Sequence, residues 1–93
     1  MNFIKVKWIH THQDEPILLY SELDDMRWEV RKIEVFASGT MGYADGHIAS
    51  INPKTKLGIA PVPSLAEIAH DPEFDPIEIT KEEFEEIWKQ ATN

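Results

Sequence analysis

Residues 61–67, Pro-Val-Pro-Ser-Leu-Ala-Glu, mark the point where the hydrophobic pattern of this chain changes from the period of a strand to that of a helix. Ser64 and Glu67 match the capping box, in which a hydroxyl and a carboxylate satisfy unpaired amide groups at a helix start. On the N-terminal side of this stretch, apolar residues recur with period two, which is typical of strands. Strands followed by helices favour an α+β fold.

Three stretches in the N-terminal half predict neighbouring strands. Residues 4–8 alternate apolar side chains with two lysines, as in a strand that is covered on a single face. Residues 16–23 contain the run 17–20, which is apolar on both sides and indicates an interior strand. In residues 27–36 the alternation changes phase near Arg31 and Lys32, and such a slip predicts a β-bulge or a bend.

The chain then folds back on the third of these strands. Residues 37–40 predict a tight connection, and residues 41–44 a short strand that returns against the previous one, so that the strands form a meander. In the next part of the chain, proline and glycine separate short apolar pieces. One further hairpin is expected there, with its turn at 52–55 and its arms at 48–51 and 56–59.

Two helices are expected in the C-terminal third. The first spans residues 65–70 and ends before Pro72, because proline disfavours helical geometry in the residue that precedes it. The second spans residues 81–91 and begins with a second capping box, Thr80 with Glu83. Its apolar stripe, which should pack on the sheet, consists of Phe84, Ile87, Trp88 and Ala91.

Together these elements predict one α+β domain over residues 1–93, mainly β over 1–60 and mainly α over 64–93. The expected architecture is an antiparallel meander of about four to five strands with two C-terminal helices, the last of which packs on one face. A chain of 93 residues with 42% hydrophobic content has room for one core of this kind.

Acidic residues are concentrated at one end of the chain. Residues 64–93 contain nine Asp and Glu against two Lys, whereas residues 1–63 contain eight acids against seven bases. An acidic surface repels nucleic acid and anionic membranes and attracts basic proteins. We therefore expect a protein partner, and neither nucleic acid nor membrane, while the pattern leaves monomer and dimer equally open.

The cellular context follows from what the composition lacks. The chain contains no cysteine, so disulfides and thiolate chemistry are excluded, and this fits a reducing compartment. Two lysines interrupt the N-terminal apolar residues, which is unlike a signal peptide. No run approaches the roughly 20 apolar residues of a spanning helix. A cytoplasmic protein is the resulting expectation.

Two clusters could in principle hold a metal ion. His10 and His12 are two residues apart and would lie on one side of an extended chain, but the spacing is weakly specific, and ordinary polar residues at a strand end are the favoured explanation. Glu22, Asp24 and Asp25 offer alternate carboxylates but lack the glycine turn and distal Glu of a calcium loop, so a solvated turn is favoured. No metal site is predicted.

Two further patterns point to partner binding. Arg27, Glu29 and Arg31 place charges at every second residue of a strand, as either a recognition strip or a solvent face with cross-strand ion pairs. The acidic side of the last helix is favoured by the helix dipole, but helix stability does not explain the acids that precede it. The candidate partner contacts are Glu82, Glu85, Glu86, Arg27, Glu29 and Arg31.

Catalysis finds little support in the sequence. No nucleophile elbow is present, and residues 38–42 have two glycines near hydroxyl groups but lack the lysine and the spacing of a phosphate loop. We therefore predict a protein that is not an enzyme, with no catalytic residues and no cofactor.

Several stretches of the chain are similar to a family of short bacterial proteins of unknown function. The similarity lies in residues 5–10, 15–16, 19–24, 42–44, 61–65 and 71–74, and in Arg27, Glu29, Arg31, Lys32, Glu34 and Phe36. Residues 46–55 depart from the Gly-rich acidic loop of that family. Its small single-domain form resembles, by analogy, the immunity proteins encoded beside bacterial polymorphic or contact-dependent toxins.

The resulting hypothesis is a non-enzymatic protein-binding domain, an immunity protein that inhibits a cognate toxin. Many intracellular toxins attack nucleic acid through basic clefts, which an acidic inhibitor could occlude. Two alternatives remain open. A small ligand-binding or enzymatic domain would use a pocket on the sheet face, formed by His10, Tyr20 and Arg31. A structural subunit would instead self-associate through an apolar edge or patch.

Overall fold

The computed structural model describes residues 1–93 and shows a five-stranded antiparallel sheet with two helices. The elements are β1 (Asn2–Trp8), β2 (Leu18–Leu23), β3 (Glu29–Val35), β4 (Met41–Ala44), α1 (Leu65–Ala69), β5 (Phe74–Glu78) and α2 (Lys81–Thr92). The strand order β4-β3-β2-β1-β5 contains the expected meander, with β5 added beside β1. The predicted α+β architecture is confirmed. Neither helix has the length and apolar character needed to cross a bilayer.

The main core lies between the sheet and α2. The buried side chains of this core are Phe3, Tyr20, Ile33, Ile79 and Phe84. The ring centroids of Phe3 and Phe84 are 5.4 Å apart. The apolar stripe predicted for the last helix is confirmed, because Phe84 is fully buried and Ile87, Trp88 and Ala91 pack against the same cluster.

A second, smaller core lies on the opposite face of the sheet. Ile4, Val6 and Leu23 are buried there, under the partly buried side chains Leu19, Val62, Leu65, Ile68 and Phe74. β1 is therefore covered on both faces, which corrects the expectation of a single covered face. The reason is Phe3, which has the same phase as the two lysines of β1 but is buried beneath α2.

Both capping boxes are present. At α1, Glu67 N donates to Ser64 Oγ, and Ser64 N donates back to Glu67 Oε1 at 3.1 Å. Thr80 and Glu83 form the same arrangement at the start of α2. α1 ends one residue earlier and α2 one residue later than predicted.

The bulge predicted in β3 is also present. Glu22 pairs with Arg31, but the next residue of β2, Leu23, pairs with Glu29, so Val30 is the extra residue. A bulge changes the face to which the following side chains point. Glu29 and Arg31 consequently lie on opposite faces of the sheet, although their spacing alone would place them together.

The hairpin expected at 48–59 does not form. This segment makes only two isolated bridges, Ala44 with Ala49 and Ile51 with Lys54. Hydrogen bonds of the Ser50 side chain compete here with the backbone pairing of two strands. Tyr43 N donates to Ser50 Oγ at 3.0 Å, and the Ser50 hydroxyl donates to the Pro53 carbonyl.

β5 is the strand that the sequence did not predict. Its residues pair antiparallel with β1, for example Asp75 with Lys7 and Ile77 with Lys5. Because β5 is at the edge of the sheet, it tolerates Pro76 and exposed acids, which protect an edge from pairing with another chain. Part of the acidic run before α2 therefore has a structural explanation.

Candidate functional site

A groove of about 470 Å³ lies on the face of the sheet opposite α2. Its hydrophobic lining consists of Ile4, Val6, Trp8, Leu19, Val62, Ile68 and Phe74. Alternate residues of β1 and β2 form the floor, while the segment before α1 and α1 itself form one wall. Concave, mainly apolar surfaces with a few polar groups at their ends are typical of ligand sites.

Arg27 holds the wall of this groove in place. Its guanidinium donates two hydrogen bonds, one to the Val62 carbonyl at 2.8 Å and one to the Pro63 carbonyl at 2.7 Å. In return, Val62 N donates to the Arg27 carbonyl at 2.8 Å. Arg27 has a φ of 67°, a left-handed conformation that is uncommon outside glycine. The side chain of Arg27, one of the predicted partner contacts, is therefore engaged in hydrogen bonds within the protein.

One end of the groove is a closed polar network around Glu29. The carboxylate accepts hydrogen bonds from Ser21 Oγ at 2.9 Å and from Gly58 N at 2.6 Å. Lys32 Nζ lies 3.5 Å from Glu29 Oε1 and donates to the Lys56 carbonyl at 3.1 Å. The network attaches the 56–58 loop to the sheet, so Glu29 also serves the fold rather than an open surface.

The other end of the groove is open and acidic. Trp8 Nε1 donates to Glu73 Oε1 at 3.1 Å, and the Trp8 ring lies 5.8 Å from the ring of Phe74. The carboxylates of Glu15 and Asp71 line the groove, are exposed and form no salt bridge. This end therefore offers an indole and free negative charge to a ligand.

Both ring nitrogens of His10, one of the two candidate metal ligands, are engaged in hydrogen bonds. His12 N donates to His10 Nδ1 at 2.9 Å, and His10 Nε2 lies 2.8 Å from the Pro16 carbonyl. Because Nδ1 accepts a hydrogen bond, Nε2 carries the proton and donates it to the carbonyl. Neither nitrogen of His10 has a lone pair free for a metal ion.

The second candidate for a cation site consists of Glu22, Asp24 and Asp25. Each of these carboxylates contacts a different partner. Glu22 pairs with Arg31, and Asp24 Oδ1 accepts hydrogen bonds from two backbone amides in the turn between β2 and β3. Asp25 lies 4.0 Å from the N-terminal ammonium group. The interpretation as a turn agrees with these contacts, since the three carboxylates do not converge.

Arg31 lies beneath α2. Its Nε is 2.5 Å from Glu22 Oε1, and its two terminal nitrogens donate to both oxygens of Glu85 at 2.9 and 2.7 Å. The guanidinium also lies over the rings of Phe84 and Trp88, 4.8 and 5.1 Å from their centroids. The hydrogen bond from Arg31 lowers the pKa of Glu85, and the same bond is the main cause of the raised pKa of Arg31. Both side chains fix α2 on the sheet.

The six predicted partner contacts therefore do not form one surface. The structure separates Arg27, Glu29 and Arg31 onto a turn and two opposite faces, because the bulge at Val30 interrupts the alternation. Arg31 binds Glu85, whereas Glu82 and Glu86 remain exposed on the outer side of α2.

The pocket suggested by His10, Tyr20 and Arg31 does not form either. Tyr20 is buried in the core under α2, where burial and then the nearby Glu83 raise its pKa. Arg31 lies on the same covered face, whereas His10 follows the end of β1 and its ring lies tilted against that of Trp8, with the centroids 4.3 Å apart. The groove lies instead on the other face of the sheet. The only local indication of it in the sequence was that Ile4, Val6 and Trp8 share one side of a strand.

Comparison with known proteins supports the resemblance to a family of unknown function. No curated protein and no solved structure matches this chain. One family model does match, and it covers residues 2–93, almost the whole chain. The chain therefore belongs to the family described as Domain of unknown function (DUF6881).

Proposed function

We propose that this protein is a non-enzymatic protein-binding domain, an immunity protein that binds and neutralises a basic toxin in the bacterial cytoplasm. The observation that carries the proposal is the excess of unpaired carboxylates. Of 17 acidic residues, only Glu22, Asp25, Glu29 and Glu85 lie within 4.0 Å of a cationic nitrogen. Thirteen carboxylates have no cationic partner within the chain.

Four of these carboxylates lie on two surfaces that a partner could reach. One is the outer side of α2, where Glu82 and Glu86 are exposed and make no hydrogen bond or salt bridge. The other is the open end of the groove, where Glu15 and Asp71 lie. Charges of one sign on accessible surfaces steer a partner of the opposite sign and speed its association.

The first experiment is co-expression with the products of the genes on either side. If one product arrests growth when expressed alone, this protein should restore growth and co-elute with it as a complex. The proposal would be contradicted if neither neighbouring gene product were toxic. It would also be contradicted if this protein neither bound nor neutralised a toxic one at low salt.

A charge-reversal pair tests the contribution of α2. Glu82→Lys combined with Glu86→Lys should slow association by about tenfold at low salt, because steering depends on long-range charge. Lys89→Glu on the same helix is the matched control of opposite sign, and it should speed association. Glu85 is left unchanged, since its loss would release Arg31 and disturb the docking of the helix.

A further inference from the structure

We infer that the groove opposite α2 is the docking site for a short segment of the partner, in which apolar side chains accompany a lysine or an arginine. The inference rests on the proposed function in taking the occupant to be a basic protein. It goes further by assigning the surface and the chemistry of the segment that binds there.

The apolar part of the groove fits hydrophobic side chains. Leu19, Val62 and Ile68 are only partly buried in the chain alone, although they pack on the buried residues beneath them. An occupant would remove their remaining exposed area from water, which favours the binding of apolar side chains. The volume of about 470 Å³ lies within the range of natural ligand sites.

The charged side chains of the groove select a cation. Five of its lining residues are acidic, namely Glu15, Glu29, Glu34, Glu67 and Asp71, and one is basic. That base, Lys32, is already bound to Glu29 and to a backbone carbonyl. An incoming carboxylate would therefore meet repulsion, whereas a cation would meet free negative charge at the open end.

Trp8 specifies how such a cation would bind. The hydrogen bond from Trp8 Nε1 to Glu73 fixes the indole at the open end, near Glu15 and Asp71. An ammonium or guanidinium group over an indole is stabilised by the ring quadrupole. The long stems of lysine and arginine can cover apolar surface while the charged group reaches the rim. One such side chain would satisfy both parts of the groove.

The wall is rigid enough to serve as a docking surface. Arg27 fixes the carbonyl groups of residues 62 and 63, and the capping box at Ser64 starts α1 immediately afterwards. At the other end the Glu29 network holds the 56–58 loop. A surface that is already ordered loses little conformational entropy on binding.

The test uses phage-displayed random dodecapeptides selected on the full-length protein. Enriched peptides should combine apolar residues with lysine or arginine, and their affinity should fall with added salt. When synthetic versions are titrated into the ¹⁵N-labelled protein, the largest shifts should fall on the Trp8 indole N–H and on the amides of Leu19, Ile68 and Phe74.

Two variants with the same charge change separate the groove from the helix. Glu15→Lys should weaken peptide binding by about tenfold, whereas Glu82→Lys on the opposite face should leave it unchanged. Both residues are exposed, so neither variant is expected to disturb folding. Peptides that are acidic, that shift α2 instead, or that bind Glu15→Lys as tightly as the unmodified protein would overturn the inference.

The same NMR titration, carried out with the toxic product of a neighbouring gene, distinguishes the docking site from the proposed function. If the toxin binds and leaves the groove signals unchanged, the docking site is wrong and the immunity function stands. If basic peptides occupy the groove but no toxin is neutralised, the groove assignment stands and the function is wrong. Binding of a free small cation such as arginine with the affinity of the peptides would overturn the protein segment as occupant.

Discussion

At the scale of single residues, Arg31 shows how one side chain can join three elements. It donates to Glu22 on β2 and to both oxygens of Glu85 on α2, and it covers the rings of Phe84 and Trp88. The planar guanidinium can make these contacts together, whereas an ammonium group would lose the two-pronged bond. The pattern of charges in the sequence showed a possible ion pair, but the partner on α2 lies 54 residues away.

The Arg31–Glu85 pair predicts a specific pH dependence. Arg31 holds the pKa of Glu85 below its ordinary value of 4.5, so the pair stabilises the fold above that value and is lost as the pH falls through the lowered pKa. Glu85→Gln should lower the free energy of unfolding at neutral pH by about 1 kcal/mol or less, because the carboxylate is 42% exposed.

Urea denaturation at pH 7 and near pH 3 checks this prediction. The difference between Glu85→Gln and the unmodified protein should shrink on acidification, because protonation of Glu85 has the same effect as the substitution. Glu86→Gln is the matched control, since Glu86 does not contact Arg31, and it should be nearly neutral at both values. An equal difference at the two pH values would refute the role of the ion pair.

Gly42 gives a second prediction at this scale. A Cβ built on Gly42 would overlap Thr55 Oγ1 and would crowd Pro53 and Ser50. Thr55 cannot easily move, because it is 2% exposed and donates to Glu34 at 2.8 Å. Gly42→Ala should therefore destabilise the protein by about 1 to 3 kcal/mol in chemical denaturation.

A double-mutant cycle identifies the cause of that loss. If the overlap with the Thr55 hydroxyl is responsible, Gly42→Ala combined with Thr55→Ala should cost less than the sum of the single changes. Gly46→Ala provides the control, because no atom lies within 4 Å of its added carbon. Additive losses would show that the methyl group strains the backbone instead.

At the scale of elements, local patterns were sufficient for β1 to β4 and for both helices. The alternation and the two capping boxes act within a few residues, so a sequence displays them directly. β5 could not be found in this way, because Phe74-Asp-Pro-Ile-Glu78 contains a proline and two acids, which also characterise a loop. Its pairing partner is β1, at the opposite end of the chain.

The groove could not be predicted from local sequence patterns, for a related reason. Its lining comes from β1, β2, β3, β5, α1, the segment before α1, and the loops that contain Glu15 and Asp71, and these parts meet only when the sheet is assembled. The sequence indicated that Ile4, Val6 and Trp8 share a face, but not which part of the chain covers it. The bulge at Val30 then placed Glu29, rather than Arg31, on this face.

The docking of α2 is tested by Trp88→Ala. The indole packs against the main core and lies 5.9 Å from the ring of Tyr43. Its removal should cost about 2 to 3 kcal/mol and lower the melting temperature by at least about 8 °C in a domain of this size. Lys89→Ala, an exposed position on the same helix, should stay within about 0.5 kcal/mol. An unchanged melting temperature for Trp88→Ala would refute the docking.

At the scale of the whole molecule, the two faces of the sheet differ. α2 covers β2, β3 and β4 on one face with a continuous apolar stripe, whereas α1 is short and covers only part of the other. The groove is the part of this face that the short helix α1 leaves uncovered. Because Glu15 and Asp71 lie at the rim of that groove and Glu82 and Glu86 along the outer side of α2, charge and shape both support the proposal of a basic partner.

The same charge distribution predicts how salt affects stability. With a net charge of −8 and thirteen unpaired carboxylates, repulsion in the folded state should exceed the attraction of the few ion pairs. Raising the ionic strength from about 0.01 M to about 0.15 M shortens the Debye length to about 8 Å and screens that repulsion. The melting temperature at neutral pH should therefore rise with sodium chloride.

Glu82→Gln combined with Glu86→Gln should melt at a higher temperature at low salt, and its melting temperature should respond less to added salt. A melting temperature that falls with salt would show that the Arg31 and Lys32 ion pairs outweigh the repulsion, and steering by the acidic surface would then need to be measured directly.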